Sequence, residues 1–192
     1  VIDLEEFTHK YWGLLSHHAY RLTGSILDAE DITQETMLRV VEMGPSIENI
    51  ENHHEWLHVA ATEAAMGLMH KPIPVDEFDL PDLIQTTGAG ADPGSRPVGG
   101  EAGWPGATLD FLFPLQYMAP EQRAVVVLRD GFEDGDRVAA DALHVTIQEV
   151  FKIAGEAEKT RAAVRKRWGA VVPFVPLADD EKTGKVFDRF LE

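Results

Sequence analysis

The chain has 192 residues, with 33 Asp and Glu against 17 Lys and Arg, for a net charge of −16. Hydrophobic residues make up 44% and cysteine is absent, which excludes wholesale disorder, a disulfide scaffold, a thiolate metal site and a cysteine nucleophile. There is no apolar run of about 18 residues and no secretory leader pattern at the start, so a cytoplasmic protein with no membrane partner is expected.

The first block reads as helices. Leu4, Phe7, Tyr11, Leu14, Leu15, His18 and Leu22 recur at intervals of three and four, one face of a helix that Gly24 breaks. Ser25 to Asp28 reads as a turn with Asp28 as N-cap. Asp28-Ala29-Glu30-Asp31 then places acids where a helix dipole favours them. That helix runs to about Met43, where Gly44-Pro45 ends it. A third helix is predicted from about His54 to His70, with Trp56, Leu57, Ala60, Ala61, Ala64, Met66 and Leu68 as its apolar positions.

Between Gly88 and Gly106 stand seven Gly and three Pro, a density that no regular element survives. With Lys71-Pro72-Ile73-Pro74 upstream, residues 72–107 read as a flexible linker between a domain of residues 1–71 and one of residues 108–168, followed by a tail of residues 169–192. Few contacts are expected across such a linker.

The second block is helical too. Leu109 to Tyr117 is interrupted by Pro114. Pro120 opens a helix whose Val125, Val126, Val127 and Leu128 read as core, and Gly131 stops it. A short helix from Asp136 to Leu143 follows. Thr146, with Glu149 three residues on, has the pattern of a capping box opening a longer helix to about Trp168. Two short helices, a tight turn and a capped longer helix form a helix-turn-helix layout.

Charge follows the blocks. Residues 1–71 carry 4 cations and 12 anions, while residues 108–168 carry 9 and 10. Phosphate repels an acidic chain unless its cations cluster. The cations of the second block gather between Lys159 and Arg167, so a nucleic-acid contact is sought there first.

Two segments resemble a known family, the extracytoplasmic-function sigma factors of the bacterial sigma-70 class. Asp28-Ala29-Glu30-Asp31-Ile32-Thr33-Gln34-Glu35-Thr36-Met37-Leu38-Arg39-Val40 resembles the family's helix for core RNA polymerase. Met118-Ala119-Pro120-Glu121-Gln122-Arg123-Ala124-Val125 and the residues after it resemble the opening of the family's region four, which reads the upstream promoter element. Trp56-Leu57 stands where the family's other promoter-reading helix begins.

The resemblance implies an all-α protein, a region-two bundle and a region-four helix-turn-helix joined by a Gly/Pro linker. It implies a transcription regulator without catalysis or cofactor, whose partners are core RNA polymerase and promoter DNA. Asp28, Asp31, Gln34, Glu35, Leu38 and Arg39 would meet polymerase. Trp56, His58, Thr62, Lys71, Thr146, Gln148, Lys152, Arg161, Arg165 and Lys166 would meet DNA. The tail from Asp179 to Glu192 resembles the start of a further domain carried by one subgroup.

The departures all concern DNA. Val59, Thr62 and Ala64 occupy positions where the family has arginine, Glu63 its asparagine and Gly67 its aspartate. His144 stands where glycine is frequent, and Glu156 and Glu158 replace arginines. Each cation exchanged for an anion loses counterion release and adds repulsion. DNA binding limited by charge is therefore expected, and a rival reading follows: a sigma-like interaction module that docks on polymerase, an anti-sigma factor or another partner without reading promoters. His53, His54 and His58 read as solvated surface histidines rather than a metal site, since a zinc site needs further ligands. Trp56 and Trp168 read as packing residues. No Gly-rich phosphate loop, paired carboxylates or Ser/His/Asp arrangement points to an enzyme.

Overall fold

The computed structural model describes residues 3–82 and 109–168. The Gly-rich stretch of the expected linker and the expected tail domain lie outside the described residues. Those residues form seven α-helices and one 3-10 turn, with no strand among them.

Helix α1 spans Leu4–Thr23, with the Asp3 carboxylate accepting from the Glu5 and Glu6 amides at 2.9 and 3.3 Å. Its face is narrower than the period predicts: Phe7, Leu15, His18 and Leu22 are buried, while Leu4 and Leu14 stand exposed. Gly24 ends the helix at φ 70, a left-handed conformation that favours glycine. A Cβ there would also run into the Gln116 amide.

Helix α2 spans Ile26–Met43, and its cap is Ser25, not Asp28. The Ser25 Oγ accepts from the Asp28 amide at 3.3 Å, which places Asp28 inside the first turn. After the 3-10 turn Gly44–Asn49, Asn52 caps α3, His53–Leu68. Helices α1, α2 and α3 pack around Leu15, Leu22, Ile32, Val40 and Leu57, all essentially without solvent contact.

In the second block α4 spans Leu109–Leu115 and holds Pro114 within its last turn. Helix α5 spans Pro120–Gly131, α6 Gly135–Leu143 and α7 Ile147–Trp168. Thr146 and Glu149 form the predicted capping box: the Glu149 carboxylate accepts from the Thr146 amide at 2.8 Å, and the Thr146 hydroxyl from the Glu149 amide at 3.3 Å. Gly135 lets α6 approach α5, since a Cβ there would sit 2.6 Å from the Leu128 carbonyl oxygen. Val125, Val127 and Leu128 are core, as expected.

The two blocks are in contact. Met118, Ala124, Val127 and Ala157 share a buried cluster with α1, α2 and α3. Residues 72–82, expected as the start of a free linker, form a strap pinned to both blocks. The Ile73 amide donates to the Gln116 carbonyl at 3.1 Å, Trp168 Nε1 to the Val75 carbonyl at 3.1 Å, and the Tyr117 hydroxyl to the Glu77 carbonyl at 3.0 Å. Asp82 docks on the α1–α2 turn, its carboxylate accepting from the Ile26 amide at 2.8 Å and its carbonyl from the Tyr20 hydroxyl. Pro72 and Pro74 forbid a helix but not backbone hydrogen bonds by their neighbours.

Beneath the strap lies Arg123, among the most deeply buried side chains. It donates to the carbonyls of Met118, His70 and Gln116 at 3.0, 3.2 and 3.3 Å. Three carbonyls answer its donors, and burial lowers its pKa to about 10 without removing its charge at neutral pH.

Candidate functional site

Three surfaces carry the residues singled out by sequence. The first is the outward side of α2. Ala29, Ile32, Thr33, Thr36, Met37 and Val40 turn inward. Period 3.6 then forces Leu27, Asp31, Gln34 and Leu38 outward together. Leu27 is 73% exposed, Leu38 61% and Val41 54%. Large apolar side chains left in water beside Asp31, Gln34 and Glu35 make a mixed apolar–polar face of the kind that protein interfaces use. Asp28 lies 3.6 Å from His70 Nε2. Arg39 reaches Glu35 at 2.9 Å and Glu63 at 3.3 Å, and Glu63 continues to His144 Nε2 at 3.2 Å. Glu63 therefore joins α2 to the turn between α6 and α7.

The second surface is one side of α3, and it is covered. The expectation of solvated histidines fails here. His58 is 7% exposed, and its ring lies 4.6 Å from that of His18, 4.4 Å from that of His54 and 5.0 Å from that of Phe132. Thr62 has no solvent contact. Its hydroxyl donates to the His58 carbonyl, so the 2.8 Å contact from His18 must be Nε2–H donating to Thr62 Oγ1. His58 Nδ1 lies 2.7 Å from the His54 carbonyl and so carries a proton. Each ring thus carries a proton on the nitrogen that meets its acceptor, and burial disfavours a second one. His53 Nε2 bonds the Ile47 carbonyl at 2.9 Å.

Burial pushes His58 down to about 4, with His54, His17 and Arg21 adding repulsion. Burial and Arg21 take His17 to about 4, burial and its cationic neighbours take His18 well below its ordinary value, and burial lowers His54. Arg21 pairs with Asp130 and Arg137 with Glu55 at 2.7 Å, closing the seam from both blocks. In this arrangement His58 and Thr62, both expected at DNA, face the interior. Trp56 packs on the core and Lys71 is exposed. Among the described residues no cluster of three potential ligands could hold a metal ion.

The third surface is α7. Val150, Ala154, Ala157 and Val164 are buried. Gln148, Lys152, Lys159 and Lys166, exposed and spaced by four and seven, fall on the opposite side. Glu156 and Glu158 flank this row on either side rather than standing in it. Glu158 pairs with Arg161 at 3.1 Å, and Arg165 is exposed. Six of the chain's 17 cations lie on these 22 residues, against three acids, one of which is the capping Glu149. His144 makes the turn before α7 at φ 54, in the left-handed region, which explains why glycine suits that position.

Sequence reasoning missed the histidine seam and the role of Glu63. The available signal for the seam was His18 itself, a titratable residue on the apolar face of α1.

Comparison with known proteins matches residues 7–66 to the family model of sigma-70 region 2. The ECF RNA polymerase sigma factor SigG of Mycobacterium tuberculosis is 30% identical over 184 residues, covering 85% of this chain and 49% of that protein. SigJ of the same organism is 28% identical, covering 76% and 46%. SigE of Mycolicibacterium smegmatis is 33% identical over 114 residues, covering 58% and 42%. The chain spans about half the length of the curated relatives it matches.

Proposed function

We propose that this chain, which belongs to the sigma-70 family as an extracytoplasmic-function sigma factor, engages core RNA polymerase through α2 and promoter DNA through α7. The observation that carries this reading is the exposed α2 row of Leu27, Asp31, Gln34 and Leu38, built into the segment that the family resemblance assigns to polymerase. Residues 1–71 would act as the polymerase-binding unit and residues 108–168 as the DNA-binding unit, in the cytoplasm of a bacterium and without catalysis. No helix among the described residues is long and apolar enough to cross a membrane.

Affinity capture of core polymerase tests the first half. Asp31→Lys and Leu38→Ala should each reduce capture at unchanged helicity, because both side chains are exposed and support no core packing. Retention equal to wild type in both would overturn the reading. Run-off transcription with core polymerase tests the whole.

One observation favours the rival reading. With His58 and Thr62 buried and Glu63 tied to Arg39 and His144, that side of α3 is closed to DNA. A protein that stayed in this arrangement on polymerase would regulate by occupancy, or through an anti-sigma-type partner, and would give capture without transcription.

A further inference from the structure

The first two turns of α7 present three parallel rows. In the middle stand Gln148 and Lys152. On one flank are Ile147, 42% exposed, and Phe151, 54% exposed, one turn apart and outside every buried cluster. On the other flank is Glu149, whose Oε2 accepts from both the amide and the hydroxyl of Thr146 at 2.8 Å.

An exposed isoleucine–phenylalanine pair needs a partner surface, and the rest of the helix specifies its charge. Lys152, Lys159 and Lys166 share the outward face, and Arg165 and Arg167 extend it in a chain of net charge −16. Cations are gathered where a polyanion would lie. In the major groove each base pair offers a distinct edge. Glutamine matches the adenine N7 acceptor and N6 donor. An apolar side chain matches the thymine methyl. Guanine has a single candidate in these turns, Lys152, and cytosine has only Glu149, whose Oε2 already takes the Thr146 amide and hydroxyl.

We infer that the start of α7 selects A·T pairs in duplex DNA, Gln148 through the adenine edge and Ile147 with Phe151 through the thymine 5-methyl group. The inference rests on the DNA reading proposed above and adds to it the base pair chosen and the side chains that choose it.

The full chain is used to enrich duplexes from a random-sequence pool at about 50 mM salt, where phosphate contacts are strong. The winning duplex is then made with thymine and again with uracil, which lacks only the methyl. A·T pairs should dominate the enriched site. Uracil should weaken binding about fourfold per contacted methyl, the value of one buried carbon. Phe151→Ala should bind the two duplexes alike, and Gln148→Ala should accept other pairs at the adenine position. Wild type that binds duplex DNA without distinguishing thymine from uracil overturns the inference and leaves the DNA reading standing. So does a Phe151→Ala variant that keeps the full distinction. Absence of duplex binding even at low salt overturns both. If Phe151→Ala loses helicity, the wild-type comparison of the two duplexes decides alone.

Discussion

Helices α3 and α7 carry the two faces that the family resemblance assigns to DNA, and the fold treats them in opposite ways. The face of α3 that bears His58 and Thr62 packs against α1 and Phe132, and burial disfavours the charged form of its histidines. The outward face of α7 packs against nothing among the described residues and keeps its lysines in water. The same kind of departure, other residues where the family has arginine, therefore means different things in the two helices. In α3 the lost arginines make burial possible, because neutral side chains can be desolvated where three guanidinium groups could not. In α7 the acids sit beside the cationic row and tune its field without covering it.

The comparison predicts large stability effects on the joined side and small ones on the open helix. Arg123→Ala should cost about 3–5 kcal/mol in urea unfolding, because it empties a buried site, strips the Met118 and His70 carbonyls of its donors and leaves Gln116 with the Ile73 amide alone. A loss under about 1 kcal/mol would show that the strap and the α4–α5 turn hold without it.

Acidification should act on the seam next. The folded pKa values of His17 and His58 are depressed to about 4 from 6.5. The unfolded chain then binds more protons than the folded one between those values, so stability falls as pH falls through about 6 towards 4. Arg21, Glu55, Asp130 and Arg137 also face this seam. From pH 7 to 5 each of the two histidines should remove about 1–2 kcal/mol. Urea midpoints that do not move between those pH values, or that move equally in His58→Phe, would contradict the buried neutral seam.

A smaller effect of opposite sign is expected at the α6–α7 turn. His144→Gly should stabilise by about 1 kcal/mol, since it relieves a left-handed conformation that costs an L-residue about that much. The contact of the exposed His144 side chain with Glu63 that it removes offsets little. Smallest of all, Lys159→Glu should leave the midpoint within about 0.5 kcal/mol while weakening duplex DNA binding and making its salt dependence shallower by about one phosphate contact or more. An unchanged salt slope would take the lysine row away from phosphate.

What the sequence made legible is local. The Thr146–Glu149 box is a contact across three residues, and the buried face of α2 follows from its period. The start of α2 lies earlier than residue type suggests, because Ile26 and Leu27, exposed apolar residues, look unlike a first turn, and the cap is Ser25 rather than Asp28. The seam is not local. His18 meets Thr62 across 44 positions and Phe132 of the second block meets His54 of the first, and no periodicity pairs such residues. Apart from the Asp82 carboxylate, the strap is held through backbone groups of residues 73–82, and backbone hydrogen bonds have no signature in residue type. The α2 face was legible as a motif, while its exposed apolar row became visible only with the fold.

Asp82 gives the strap a mechanical meaning. Its carboxylate occupies an amide at the first turn of α2, its own amide donates to the Gly24 carbonyl at 2.7 Å, and its carbonyl takes the Tyr20 hydroxyl. Tension on the chain beyond residue 82 is therefore borne first at the hinge between α1 and α2, ahead of the Glu77 and Val75 carbonyls. A load there would peel the strap from its Asp82 end and release the α2 amide to water before the anchor on Trp168 felt any pull. Whatever grips the sequence after Asp82 thus has a lever on the first turn of the helix proposed to meet polymerase.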